Sequence, residues 1–189
     1  MSHLKAISAV FILLIILAVP FSRYWAFLTS GMKPPPSTQI LTAMENLGVA
    51  DFSLPSVSGD PIKLSDIKGR IVVVNFWASW CAPCVKEFPS LKRLVEKRKG
   101  KIAVVAISND SQFDDLKSFL LAFGEIPSEF FVAWDKDRKV SERYGTQILP
   151  ESFIIGPDRH LIRKVAGVDE WDAPMALQFF DEIIAAHGI

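Results

Sequence analysis

The chain has little of the chemistry that most readily identifies a protein. Two cysteines occur in 189 residues, too few to staple a disulfide scaffold. Three histidines, His3, His160 and His187, stand far from the cysteines and from one another. No zinc-ligand spacing appears, and Val85 follows the second cysteine where a haem-attachment CxxCH needs histidine. No metal and no cofactor is therefore expected. Charge of either sign is not in excess: 21 basic residues face 21 acidic ones. With no basic tract, nothing points to nucleic acid. Internal repeats are absent too. What remains is an ordinary globular composition, 50% hydrophobic and 22% charged, and long enough for one sizeable core.

The apolar residues are concentrated at the start. From Ala6 to Ser22 no charge interrupts the run, and Arg23 is followed by "YWAFL". Roughly 20 apolar residues span a bilayer. Ala6 to Leu28 reaches that length if Arg23 snorkels to the interface, where Tyr24 and Trp25 suit an aromatic belt. The rival is a cleaved signal peptide with Lys5 as its basic start, but no small-x-small cleavage site lies near Pro20. Residues 1–28 are read as an uncleaved anchor. Charge bias alone does not orient it, because Lys5 lies on one side and Arg23 and Lys33 on the other. Residues 29–45, with "PPP" at 34–36, are read as a semi-rigid extended spacer. Residues 46–189 are the folded domain.

That domain alternates strands and helices. Residues 51–70 place apolar residues around a Ser-Gly-Asp turn and suggest a hairpin. Ile71 to Ala78 is β-branched and nearly continuous, as a strand buried on both faces should be. After it, Phe88, Leu91 and Val95 form a helical stripe that ends near Lys97–Gly100. "IAVVAIS" is a second buried strand. Ser111 and Asp114 resemble a capping box, followed by a stripe of Phe113, Leu116, Leu120 and Phe123. "PESFII" and "HLIRKVAG" read as strands joined by "GPDR", and a last helix is expected from about Trp171 to His187. An α/β fold follows, a central sheet with helices on both faces.

The two cysteines, Cys81 and Cys84, sit in "NFWASWCAPCVKEFP" where a strand gives way to a helix. Cys81 falls at the helix amino terminus, where unpaired N–H groups and the macrodipole favour an anion. A thiolate there attacks disulfides. Cys84, one turn on, is within disulfide reach, is expected to be the more buried, and suits a resolving role. Pro83 lies in the first turn, which has no use for its missing N–H. Two bland readings compete: cysteines that merely fill space, and half of a metal site.

"VVVNFWASWCAPC" resembles the active-site strand and loop of the thioredoxin superfamily. Residues 48–94, "GVADFSLPSVSGDPIKLSDIKGRIVVVNFWASWCAPCVKEFPSLKRL", resemble a narrower group, the membrane-anchored TlpA/ResA-like thiol–disulfide oxidoreductases, relatives of CcmG of cytochrome c biogenesis. The resemblance covers residues 46–189. It implies a thioredoxin-like fold with a central mixed sheet, an amino-terminal hairpin and a central insert over residues 109–131. It implies protein disulfides as substrates, apocytochrome c among them, and a membrane-embedded thiol reductant as second partner. It also implies a single-pass protein of the bacterial inner membrane whose soluble domain faces the periplasm or the outer surface.

Particular residues gain roles from the match. Pro150 takes the cis-proline position facing the CxxC. Leu149 then offers its backbone to an incoming peptide, beside Trp80, Ala82 and Pro83 of the loop. Asn75 stands where cytosolic thioredoxins carry a buried aspartate. Glu87 matches the buried glutamate of the TlpA/ResA group and is expected to exchange a proton with Cys84; its bland reading is a solvated glutamate beside Lys86. Glu151 after the proline resembles CcmG, whereas the Ala-Pro dipeptide departs from it. Trp77 and Trp80 are expected to pack or to shape the rim. Two other functions are weighed. A peroxiredoxin-like peroxidase shares the fold, but it needs threonine where this chain has Ala78. A non-enzymatic domain would hold Cys81–Cys84 as a permanent structural disulfide.

Overall fold

The computed structural model describes residues 18–25 and 35–189. The chain divides into two units, residues 1–35 and 36–189. In the first, residues 18–25 are helical, with the rings of Phe21 and Trp25 stacked 6.1 Å apart. Most of the expected span, Ala6 to Leu28, lies outside the described residues. Among those that are described, no helix is long and apolar enough to cross a membrane.

The second unit opens with α1, Pro36–Leu47. The extended spacer expected over 29–45 is therefore helical from Pro36 onward. A proline in the first helical position gives up an N–H that would have no partner there, so the last of the three prolines can begin a helix that the other two could not continue. The helix is held by burial: Met44 is 4% exposed, and Ile40 and Leu41 pack against the core. Gly145 permits the approach. Its φ is +69°, and a Cβ there would lie 3.2 Å from Ile40 Cδ1.

The expected hairpin is present but short. β1, Ser53–Leu54, pairs antiparallel with β2, Ile62–Lys63. The main sheet has five strands: β3 (Ile71–Trp77), β4 (Ile102–Ser108), β5 (Phe130–Trp134), β6 (Glu151–Ile155) and β7 (Leu161–Ala166). Their order is β5-β4-β3-β6-β7, with β3, β4 and β5 parallel and β6 and β7 antiparallel to their neighbours. Every residue of β3 and β4 is buried, as their unbroken apolar runs require. β5 was not foreseen as a strand; its first residues fell within the supposed insert of 109–131. The "FFVAW" run is too short to declare itself, and its pairing with β4 makes it a strand.

Helices α2 (Ala82–Lys97), α3 (Phe113–Phe123), α4 (Lys139–Arg143) and α5 (Pro174–His187) complete the unit. The expected capping box is not formed, because Gln112 rather than Ser111 precedes α3 and no side chain caps it. The last helix begins at Pro174, three residues later than expected. Two apolar clusters flank the sheet. One gathers Phe88, Leu91, Leu116, Trp171 and Phe180; the other gathers Met44, Phe52, Tyr144 and Phe153. Asp172 takes ion pairs from Arg93 and Lys97, and Asp181 from Arg98, so α2 is tied to the C-terminal segment.

Phe88 joins α2 to three other elements. Its ring lies 5.0 Å from those of Trp77, Phe123 and Phe130 and 5.3 Å from Phe119. Phe88→Ala should lower unfolding stability by about 4 kcal/mol. Denaturant titration should show a lower midpoint with an unchanged slope.

Candidate active site

β3 delivers the site to the carboxyl edge of the sheet. Trp77 ends the strand in the core, fully buried. The chain then turns, with the Cys81 N–H donating to the Ala78 carbonyl at 3.1 Å. Cys81 is the N-cap of α2 and Pro83 lies in the first turn. The backbone N–H of Cys84 donates to Cys81 Sγ at 3.3 Å. A helix amino terminus thus points a backbone donor at this sulfur, an arrangement that favours a thiolate when a cysteine there is reduced. The sulfurs are joined, with an S–S distance of 2.07 Å. Cys84 is the more enclosed, at 2% exposure against 6%.

The register of β6 brings the proline loop alongside. Glu151 pairs with Phe76, so Pro150 falls level with Trp77 at the end of β3 and Leu149 beyond it, next to the cysteine loop. The Leu149–Pro150 peptide is cis. A cleft of about 610 Å³ lies between the two loops. Trp80, Cys81, Ala82, Pro83 and Leu149 all line it, while Pro150 is buried behind. Trp80 is 62% exposed and forms the rim, unlike Trp77. Glu151 is buried and ion-paired to Lys164 at 3.0 Å, and it also accepts from the Gln147 N–H. It therefore holds the loop and does not line the cleft.

Glu87 lies one turn beyond Cys84 on α2 and is 1% exposed. It is not the solvated glutamate of the bland reading. Its Oε1 accepts from the Trp171 indole N–H at 2.5 Å and from the Asp169 backbone N–H at 3.2 Å. Oε2 accepts from Asn75 Nδ2 at 3.4 Å, and the same Asn75 amide donates to Ser152 Oγ at 2.9 Å. Burial pushes the Glu87 carboxyl up to about 7, against the opposing pull of these hydrogen bonds. A carboxyl that titrates near neutrality beside a dithiol can take and return a proton at working pH.

One further residue holds the loop and was missed from the sequence. Asp110 is fully buried just past β4. Its carboxylate accepts from the Ser79 N–H at 3.0 Å, the Ser79 hydroxyl at 2.8 Å and the Ser108 hydroxyl at 2.7 Å. It thereby pins the turn that leads into Cys81. The visible signal was the polar triplet Ser108-Asn109-Asp110 closing an apolar strand at the carboxyl edge, where open α/β sheets place their sites.

Comparison with known proteins agrees with this geometry. Residues 48–164 match the AhpC/TSA family. The thiol-disulfide oxidoreductase ResA of Bacillus thuringiensis (strain Al Hakam) is 35% identical over 159 residues, 82% of this chain and 85% of that one. ResA of Bacillus subtilis (strain 168) is 33% identical over 65% of this chain and 68% of its own. The chain belongs to the ResA-like thiol–disulfide oxidoreductases. A solved Chlorobium tepidum structure assigned as thiol:disulfide interchange protein DsbE superposes with a TM-score of 0.62 at 33% identity, covering 74% of this chain and 94% of that one. The fold is thioredoxin-like and the protein is a disulfide oxidoreductase. Ala78, buried and without a hydroxyl, offers nothing to the peroxidase alternative.

Two predictions concern the buried carboxyls. Asp110→Ala strands the Ser79 N–H and the Ser108 hydroxyl. It should cost roughly 2–3 kcal/mol in chemical denaturation and slow disulfide exchange by loosening the loop. For Glu87 the folded value of about 7 lies above the ordinary 4.5. Between these values the unfolded chain ionises while the folded one does not, so stability falls as pH rises. Relative to Glu87→Gln, wild type should therefore lose stability from about pH 4.5 to 7 and level off above. Melting curves across that range check it.

Proposed function

We propose that the protein is a membrane-tethered reductase of disulfides in extracytoplasmic partner proteins. The observation that carries this reading is the position of Cys81: it caps α2, its sulfur faces a helical N–H donor, and it borders the cleft while Cys84 lies behind it. In the reduced protein the Cys81 thiolate attacks one sulfur of a partner disulfide. A mixed disulfide forms and the partner's other sulfur leaves as thiolate. Cys84 gives its proton to the Glu87 carboxylate and attacks Cys81 Sγ. The Cys81–Cys84 disulfide forms and the second partner sulfur is freed, so two electrons pass to the partner. Trp80, Ala82, Pro83 and Leu149 receive the partner's backbone in the cleft, and Pro150 fixes the loop that presents Leu149.

Residues 1–28 anchor the chain in the bacterial inner membrane, and the domain faces the periplasm or outer surface. Support comes from the uncharged run between Ala6 and Ser22 and from the resemblance stated above. The same resemblance proposes apocytochrome c as a substrate and a membrane-embedded thiol reductant as the regenerating partner. Cys84→Ser should accumulate mixed disulfides with partner proteins on non-reducing gels, and Cys81→Ser should abolish reduction of protein disulfides. If Cys81→Ser were the variant that traps partners, the two roles would be reversed.

A further inference from the structure

The turn between β7 and α5 has no part in the reaction just described, yet it grips the acid–base group. Trp171 is 2% exposed, within the apolar cluster that holds both cysteines. Its indole N–H donates to Glu87 Oε1, and its backbone N–H donates to Ser90 Oγ at 3.3 Å. Ser90 Oγ donates in turn to the Glu87 carbonyl at 2.8 Å. The Asp169 N–H supplies a second donor to Oε1. The two carboxyl oxygens are therefore unequal. Oε1 takes two N–H donors, while Oε2 takes Asn75 alone at 3.4 Å.

An oxygen that already accepts two N–H bonds leaves no room for a proton of its own. We propose that Trp171 is a positioning residue for the acid–base group: with the Asp169 amide it fixes Oε1 as an acceptor and leaves Oε2 as the oxygen that takes up and returns the proton. The inference rests on the proton-exchange role proposed for Glu87. A packing role alone would be met by any acceptor for the indole; here the acceptor is the one carboxyl a helical turn beyond Cys84. The charged group that bears on Glu87 is Asp169, whose carboxylate opposes its ionisation and accepts from the Glu170 N–H at 2.8 Å. Asn75 from β3, Ser152 from β6 and Ser90 from α2 are neutral, and Cys84 carries no charge in the disulfide.

The test is the indole N–H resonance of Trp171 in the oxidised full-length chain in detergent, followed by nitrogen-15 NMR from pH 5 to 9. It should titrate with the midpoint of Glu87, and the dependence should vanish in Glu87→Gln. Removing the donor in Trp171→Phe disfavours the carboxylate. The pH profile of disulfide reduction should then move up by about one unit, roughly a tenfold loss of rate at fixed pH below the midpoint. The same change on a Glu87→Gln background should not move the profile. An indole resonance flat across the range, or a Trp171→Phe variant slowed equally at every pH, would overturn the proposal. The NMR titration needs no turnover, so it is read separately from the reductase activity: absence of disulfide reduction by wild type counts against the function, and a flat indole in an active protein counts against the clamp.

Discussion

A carboxyl with almost no contact with water sits one helical turn below the disulfide, and the rest of the domain is arranged around that constraint. Burial of Glu87 is unfavourable to its charged form. Three donors from two places offset part of that: an amide on β3, and a backbone N–H and an indole in the β7–α5 turn. The result is a group that titrates near neutrality, where a fully solvated glutamate stays ionised and a wholly apolar site would keep it neutral. Asn75 is central to this. An amide in that place donates to the carboxylate and to Ser152 without adding a second charge.

The sheet brings the parts together at one edge. β3 carries the cysteine loop, and the segment just after the adjacent β4 supplies Asp110 to pin it. β6 runs the other way, so its beginning, with Leu149 and Pro150 just before it, meets the end of β3. Cys81 lines the cleft between them, and the more deeply buried Cys84 does not. Asn75, Asp169 and Trp171, the donors of Glu87, lie outside the cleft lining.

Much of this was legible in the sequence where local pattern and burial coincide. The unbroken runs of β3 and β4 marked central strands, the spacing of Phe88, Leu91 and Val95 marked α2, and the junction between them placed Cys81 at a helix start. Glu87 was legible through its spacing from Cys84 and the family resemblance. What escaped depends on contacts distant in sequence. β5 is a strand because β4 lies beside it, and α1 is a helix because Met44 finds a pocket in the core. Asp110 has its meaning from Ser79, 31 residues away, and Trp171 from Glu87, 84 residues away. No window of local sequence carries such pairings.

The central claim is that the disulfide is a working redox pair coupled to a proton on Glu87. The most direct measurement is its reduction potential against pH, by equilibration with a thiol couple from pH 5 to 9. A two-electron couple that takes up two protons falls by about 60 mV per pH unit, and each proton fewer or more changes the slope by about 30 mV. The account predicts full reversibility and a slope that changes near pH 7, with the change lost in Glu87→Gln. A disulfide that does not equilibrate, or a single slope in wild type that matches Glu87→Gln throughout, would contradict it.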